Sequence, residues 1–433
     1  MLLAGWGKYP VIDVDLKTPK SIEAIGEILS HQATTTIARG MGRSYGDSSL
    51  AQQVISSQYL DHFLSFDTEN GLLRCRAGVS LNEILRLFVP KGWFLPVTPG
   101  TKYISIGGAI AADVHGKNHH CHGTFCDHIR SLQLILASGE TIACSAEENK
   151  NLFHATCGGM GLTGIITEAV IKLKPITSSH IMETTYKASN LDEAFNLFEQ
   201  HEQVTYSVAW IDCLARGEKL GRSLIMLGEH TSAGKLITGS NKAITIPIDL
   251  PGWLLNKYSI QTFNFLYYNR LRQNKREHTI HYEPFFYPLD TIHQWNNIYG
   301  KNGFTQYQFV LPTSAGREGM KTILKKIADS GRGSFLAVLK AFGPENNNYL
   351  SFPIKGYTLA LDFKIDKGLF SFLDELDAIV LDHGGRLYLA KDVRMNEKTF
   401  KKSYPLWASF QEVRQHYGAI PIFSSKQAQR IGL

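Results

Sequence analysis

Residues 38–49 read ARGMGRSYGDSS, residues 99–120 read PGTKYISIGGAIAADVHGKNHH, and residues 158–165 read GGMGLTGI. Three glycine-rich stretches thus crowd the first 165 residues. Glycine has no Cβ, so its backbone N–H groups approach an anion closely, and successive N–H groups form the concave nest that holds a pyrophosphate. Gly40, Gly42 and Gly46 lack GxGxxG spacing, and no GxxxxGK[ST] occurs, so neither standard nucleotide fold is supported. Three such loops in this order ask for a different cofactor-binding architecture.

The segments around the loops alternate between helix and strand. SIEAIGEILSHQ (21–32) has helical spacing, and TTTIARG (34–40) is a β-branched strand running into glycines. LLRCRAG, IRSLQLILASG with the turn pair Ser138-Gly139, and GIITEAVIKLKP are further strands, and LNEILRLFV (81–89) is a short amphipathic helix. After Pro175 the character changes, with strands such as YSVAWID and TQYQFVLP and helices such as LDEAFNLFEQH and GMKTILKKIAD, which puts a boundary near residue 176. The stretch WLLNKYSIQTFNFLYYNRLRQNKREH (253–278) mixes aromatics and leucines with a basic end. It reads either as an interfacial segment or as a packed helix with a solvated basic terminus.

A chain of 433 residues is long for one ordinary domain, and 43% hydrophobic with 19% charged residues is globular composition. The excess of 45 Lys and Arg over 39 Asp and Glu, a net +6, is far below the basic stripe that nucleic-acid binding requires. Six cysteines (Cys75, Cys121, Cys126, Cys144, Cys157, Cys213), no CxxC pair and no secretory leader fit a reducing cytoplasm. No run of about 18 apolar residues occurs, so nothing in the sequence reads as a membrane span. His115, His119, His120, Cys121, His122, Cys126 and His128 form a cluster rich in metal-ligand types. Its adjacent histidines have poor spacing for zinc, and no metal is expected.

The three loops resemble the FAD-binding domain of the vanillyl-alcohol oxidase-type (PCMH-type) flavoproteins. HGKNHH (115–120) and LYLAKD (387–392), together with QYQFVLPT, LKAFGP, LSFPIKGYTLALDF and GGRLYLAKDVRM, resemble the sugar-lipid oxidase branch of that superfamily. The resemblance covers nearly the whole chain. It implies an α+β fold in two domains: an FAD-binding domain at 1–176 and a substrate domain at 177–389, built on an antiparallel sheet flanked by helices. Residues 390–433 then return to the first domain.

By position, the resemblance gives the FAD site to Ala38, Arg39, Gly40, Met41, Gly42, Arg43, Ser44, Tyr45, Gly46, Asp47 and Ser48 of the first loop. Gly100, Ser105, Ile106, Gly107, Gly108, Ala112, Asp113, Val114 and His115 follow from the second loop, with Ile165 and Tyr388 beside the cofactor. Relatives that bind flavin covalently use a His in a GxGHS version of the first loop, where this chain has Arg43. Arginine cannot form that bond and pairs with phosphate instead. FAD is therefore expected to be noncovalent, with His115 the remaining candidate for a link.

The resemblance also places Gln306, Lys340, Thr358, Ala360 and Lys391 on the substrate and gives catalysis to Lys391, His115 and Tyr45, Lys391 as a cation that stabilises a developing alkoxide. Mycobacterial members carry Cys where this chain has Ala360, so no thiol is offered there, and hydride chemistry needs none. The implied reaction is oxidation of a polyprenyl-phosphoryl-β-D-ribose at its 2′-hydroxyl. A short-chain NAD(P)-dependent reductase partner would complete an epimerisation, and the protein would sit peripherally at the inner membrane. The rivals are an FAD oxidase or dehydrogenase of soluble sugars or aldonolactones and a flavin-free sugar-lipid binding protein; the second leaves the three loops unexplained.

Overall fold

A computed structural model describes residues 1–31, 34–239 and 244–433. The architecture is α+β. The first helix spans Ile22–Ser30, capped by the Ser21 hydroxyl, and buries Ile25 and Leu29 one turn apart. The Gln32 end expected of it lies outside the described residues. TTTIARG becomes the strand Thr36–Arg39, paired parallel to Gln53–Ser56, which in turn pairs with Asp15–Lys17.

Beside this small parallel sheet stands an antiparallel one of five strands, in the order Thr141–Ser145, Ile129–Ile135, Ile165–Lys172, Leu72–Arg76, Phe63–Asp67. Helix Leu81–Phe88 packs nearby, closed by a capping box between Ser80 and Glu83. The short pair Lys174–Pro175 and Trp93–Phe94 is the last pairing of this part of the chain.

From His180 onward the strands enter an eight-stranded antiparallel sheet. Its order is Lys275–His281, His180–Ala188, Ser223–His230, Tyr206–Ile211, Ala337–Phe342, Gly356–Lys364, Phe304–Pro312, Arg386–Leu387. Period-two alternation divides its two faces. Ile225, Ala209, Leu339, Leu359 and Phe309 fall in register on one face, fully buried, and helix Thr313–Ser330 packs there. Met226, Val208, Val338, Ala360 and Gln308 look the other way, towards the site.

The stretch 253–278 is not one element, and its basic end is not the solvated helix terminus that one of the two readings expected. It resolves into a short turn at Gly252–Leu254, helix Lys257–Asn269, and strand Lys275–His281 at the sheet edge. The basic end is a strand because its backbone pairs with His180–Ala188, and a charged edge discourages further pairing.

Past Leu389 the chain crosses back. Thr36 donates to the Ile422 carbonyl, Ser424 donates to the Thr36 carbonyl, and Lys426 donates to that of Leu50. On these pairings we propose to divide the chain at 176 and 389, as the sequence suggested. Among the described residues no helix is long and apolar enough to cross a membrane.

Candidate active site

The three glycine loops meet around one cavity of about 1020 Å³, floored by the eight-stranded sheet. Sequence explains why they meet so closely. A Cβ on Gly40 would lie 2.2 Å from the Ser105 hydroxyl, so the first two loops are packed closer than any side chain permits. Gly42 takes a left-handed φ of 62°, and a Cβ there would run into the Arg39 guanidinium. Gly100 has open space where its Cβ would be, leaving bare backbone beside the cavity. Such a cradle suits a long ligand with an anionic middle.

The second loop starts helix Ile106–Ala111, whose Ser105 cap accepts from the Gly108 N–H. Beyond it the chain turns at Asp113, a fully buried carboxylate. Asp113 accepts from the Cys126 N–H, the Asn346 and Asn348 amides and the Ser351 hydroxyl. That hub ties the loop to the 343–351 segment and aims His115 at the floor.

The His115 ring is enclosed by Phe342, Phe352 and Tyr388. Burial, with the charges of Lys340, His119 and Lys391, holds its pKa well below the usual histidine range, so the ring is neutral. Gln308 Nε2 donates to Thr358 Oγ1, whose own proton goes to the Phe309 carbonyl, and the same amide nitrogen lies 3.0 Å from His115 Nε2. His115 Nε2 therefore accepts and the proton sits on Nδ1, which is buried with no partner in the protein. An orphaned donor beside a glycine-walled cavity fits a bound cofactor with acceptors, as FAD has.

Opposite stands Lys391, its Nζ 4.0 Å above the Tyr45 ring. Gln306 Nε2 donates to Asp362 Oδ1 at 2.7 Å and reaches the Tyr45 oxygen at 3.4 Å. Asp362 is 1% exposed and also accepts from the Tyr299 hydroxyl. Burial draws the Lys391 pKa down, and the Asp362 charge pulls it partly back. Burial likewise pushes the Asp362 carboxyl up, against the Gln306 hydrogen bond and the Lys391 charge. Lys340 is brought down to about 7 by burial and by the charges of Lys391 and Lys117, and Lys117 to about 8 by burial.

Of the residues singled out from sequence, the cavity wall takes Ala38, Gly40, Met41, Gly42, Arg43, Ser44, Tyr45, Ser48, Gly100, Ser105, Gly107, Gly108, Ala112, Val114, His115, Ile165, Tyr388, Gln306, Lys340, Ala360 and Lys391. Six stand behind it. Arg39 donates to the Ala4 carbonyl and the Ser49 hydroxyl, which fastens the first loop from the rear. Asp47 pairs with Arg430 at 2.7 Å. A Cβ on Gly46 would lie 2.1 Å from the Asp392 carbonyl, so that glycine admits the returning chain. Ile106 is core, Asp113 is the hub, and Thr358 serves Gln308.

The structure adds Gln308, Lys117 and Asp362, which the sequence reading passed over. Gln308 is two residues from Gln306 and Asp362 two from Ala360, so strand alternation held the signal. The histidines after His115 have their own partners: His119 Nδ1 accepts from the Gly343 N–H, and His120 Nε2 and His128 Nε2 bond the Val204 and His122 carbonyls. Gly42→Val is expected to lower flavin content by displacing Arg39 and straining a left-handed backbone, measured as bound FAD per folded chain.

Residues 11–145 match a family model described as an FAD binding domain. Over its full length the chain is 38% identical to a decaprenylphosphoryl-β-D-ribose oxidase of Mycolicibacterium smegmatis, covering 97% of that protein. It is 29% identical to an uncharacterized protein of Streptomyces coelicolor, over 82% of this chain and 100% of the other. A cytokinin dehydrogenase of Oryza sativa is 32% identical over 34% of this chain and 29% of its own length.

Proposed function

The chain belongs to the family of decaprenylphosphoryl-β-D-ribose oxidases, FAD-dependent oxidoreductases, and from that premise we infer that it oxidises the 2′-hydroxyl of a polyprenyl-phosphoryl-β-D-ribose to the 2′-ketone. The observation that carries the reading is the buried Lys391 amine, set against Tyr45 in the cavity that the glycine loops wall. FAD, when bound, supplies the acceptor for the hydride that leaves C2′.

The protein's task is to hold the sugar and to take the hydroxyl proton as the C–H bond breaks. We assign that proton to Lys391 Nζ. The sequence reading gave this residue the part of a fixed cation, but burial makes its neutral amine accessible near neutral pH, which is what a general base needs. Asp362, held by Gln306 and Tyr299, stabilises the ammonium that forms. Tyr45, whose phenol burial keeps protonated, offers a donor to the sugar, and His115 would offer its Nδ1 proton to the cofactor.

FAD would be held here without a covalent link. Arg43, its guanidinium 4.4 Å over the Trp6 ring, stands where relatives place the linking His, and His115 is boxed in by three aromatic rings. The 2′-ketone would pass to a short-chain nicotinamide-dependent reductase. Helix Lys257–Asn269 would rest on the membrane, since Tyr258, Phe265 and Leu266 are 78, 57 and 63% exposed, with Trp253 at 73% beside it.

Anaerobic mixing with farnesylphosphoryl-β-D-ribose is expected to bleach the flavin absorbance, and acid precipitation to leave all flavin in the supernatant. Bleaching by free ribose or an aldonolactone but not by the lipid would reverse the substrate reading. Flavin in the pellet would reverse the noncovalent one. Anionic vesicles are expected to sediment the protein at low salt, each nearby Lys or Arg adding about 1 kcal/mol, and Phe265→Ser to weaken this.

A further inference from the structure

In a polyprenyl-phosphoryl ribose the carbon to be oxidised and the carbon bearing the phosphate are neighbours. The phosphate must then lie in the same part of the cavity as Lys391. Lys340 and Lys117 line the same cavity: Lys340 shares the site-facing side of its strand with Val338, and the Lys117 carbonyl accepts from the Ser207 N–H on the neighbouring strand. Among the described residues none of the three forms an ion pair with a carboxylate; Lys117 donates to the Phe285 carbonyl. Lys117 and Lys340, with Lys391 once it holds the proton taken from the sugar, can balance a phosphate beside the carboxylates Glu183 and Asp362.

A chain leaving that phosphate meets the open face of the eight-stranded sheet. Val338 is in register with Trp210, and Val208 with Met226, then Thr185, then Arg276 on the edge strand. All six line the cavity. From the strand of Gln308 to that of Arg276 there are six steps, roughly 29 Å at the usual strand spacing. Over that length the floor is mainly Val, Trp and Met, and Tyr267 of helix Lys257–Asn269 and Leu271 just beyond it pack beside Trp210 and Met226. Glu183, the carboxylate on the floor, accepts from the Thr185 hydroxyl and faces Lys117. Ribose alone needs none of this length, so the extra floor has an apolar occupant.

We propose that this trench binds the first isoprene units of the lipid substrate, with the phosphate among Lys117, Lys340 and Lys391, and that the trench delivers the remainder of the tail to the exposed apolar helix. The proposal rests on the sugar-lipid reading above. It makes the enzyme selective for chain length through the trench rather than through the sugar.

The test is equilibrium binding to the FAD-loaded protein, read by tryptophan fluorescence because Trp210 lines the trench, with dimethylallyl phosphate, farnesyl phosphate and inorganic phosphate as probes. Farnesyl phosphate is expected to bind on the order of tenfold tighter than dimethylallyl phosphate. Met226→Gln, and independently Val338→Thr, should erase most of that difference while leaving dimethylallyl phosphate binding in place. Lys340→Met should weaken both prenyl phosphates alike. Equal affinity for the two, or a difference untouched by either floor variant, overturns the trench. Flavin bleaching by farnesylphosphoryl ribose alongside equal affinities would remove the trench alone. Bleaching by soluble sugars only would remove the sugar-lipid reading, and the trench with it.

Discussion

Lys391→Ala is expected to purify yellow and to turn over about 10²- to 10³-fold more slowly, the usual cost of removing one group that acts in the transition state. The FAD loops lie far from residue 391 in sequence, and the Lys391 side chain supports none of them with a hydrogen bond, so flavin content should hold while kcat falls. Lys391→Arg should rescue poorly, because a guanidinium does not give up its proton near neutral pH and cannot serve as the base.

The direction of the pH dependence follows from the same pair. A base must be neutral to work, so the rate of flavin reduction should rise with pH through the lowered Lys391 pKa. Asp362→Asn keeps an oxygen for Gln306 but removes the charge that favours the ammonium, so the rising limb should move to lower pH. An unmoved limb would show that Asp362 only supports the fold. Binding of the phosphate runs the other way, weakening as pH rises past about 7, where Lys340 loses its charge.

Arg430→Met carries the second large effect. Arg430 bridges Asp47 at 2.7 Å and Asp392 at 2.8 Å, and both carboxylates are more than nine-tenths covered. Removing the shared cation strands two buried negative charges, at about 3–5 kcal/mol for a broken buried pair. Thermal unfolding should show a large drop in midpoint, with early release of flavin, since Asp47 belongs to the first loop. Burial alone would raise the Asp392 pKa, but Arg430 and Arg394 more than offset this and hold the carboxyl below its usual range. That contribution is present at neutral pH and fades as the pH falls through the folded-state value. A variant unchanged in midpoint at pH 7 would contradict this account of the C-terminal closure.

Much of the site was legible because its signals are local. A glycine at each point of close approach, a histidine after the second loop and a lysine in LYLAKD stand out whatever surrounds them. The purposes of Arg39, Gly46 and Asp47 were not legible, since each is decided by a partner distant in sequence: Ala4, Asp392 and Arg430. They lie among neighbours that line the cavity, and only the returning chain shows that they face backwards. Residues 275–281 gave no strand signal because the charges of KREHTIH mask alternation, and pairing with His180–Ala188 makes the strand.

The closing of the first loop by residues near the other terminus has a bearing on how the enzyme is made. The Tyr45 N–H donates to the Ala390 carbonyl, and Asp47 takes its cation from Arg430. A growing chain therefore has all three glycine loops by residue 165, well before Ala390 and Arg430, which hold the first one shut, are added. A chain stopped before Ala390 lacks both partners and is expected to hold less flavin per folded chain, read from its absorbance.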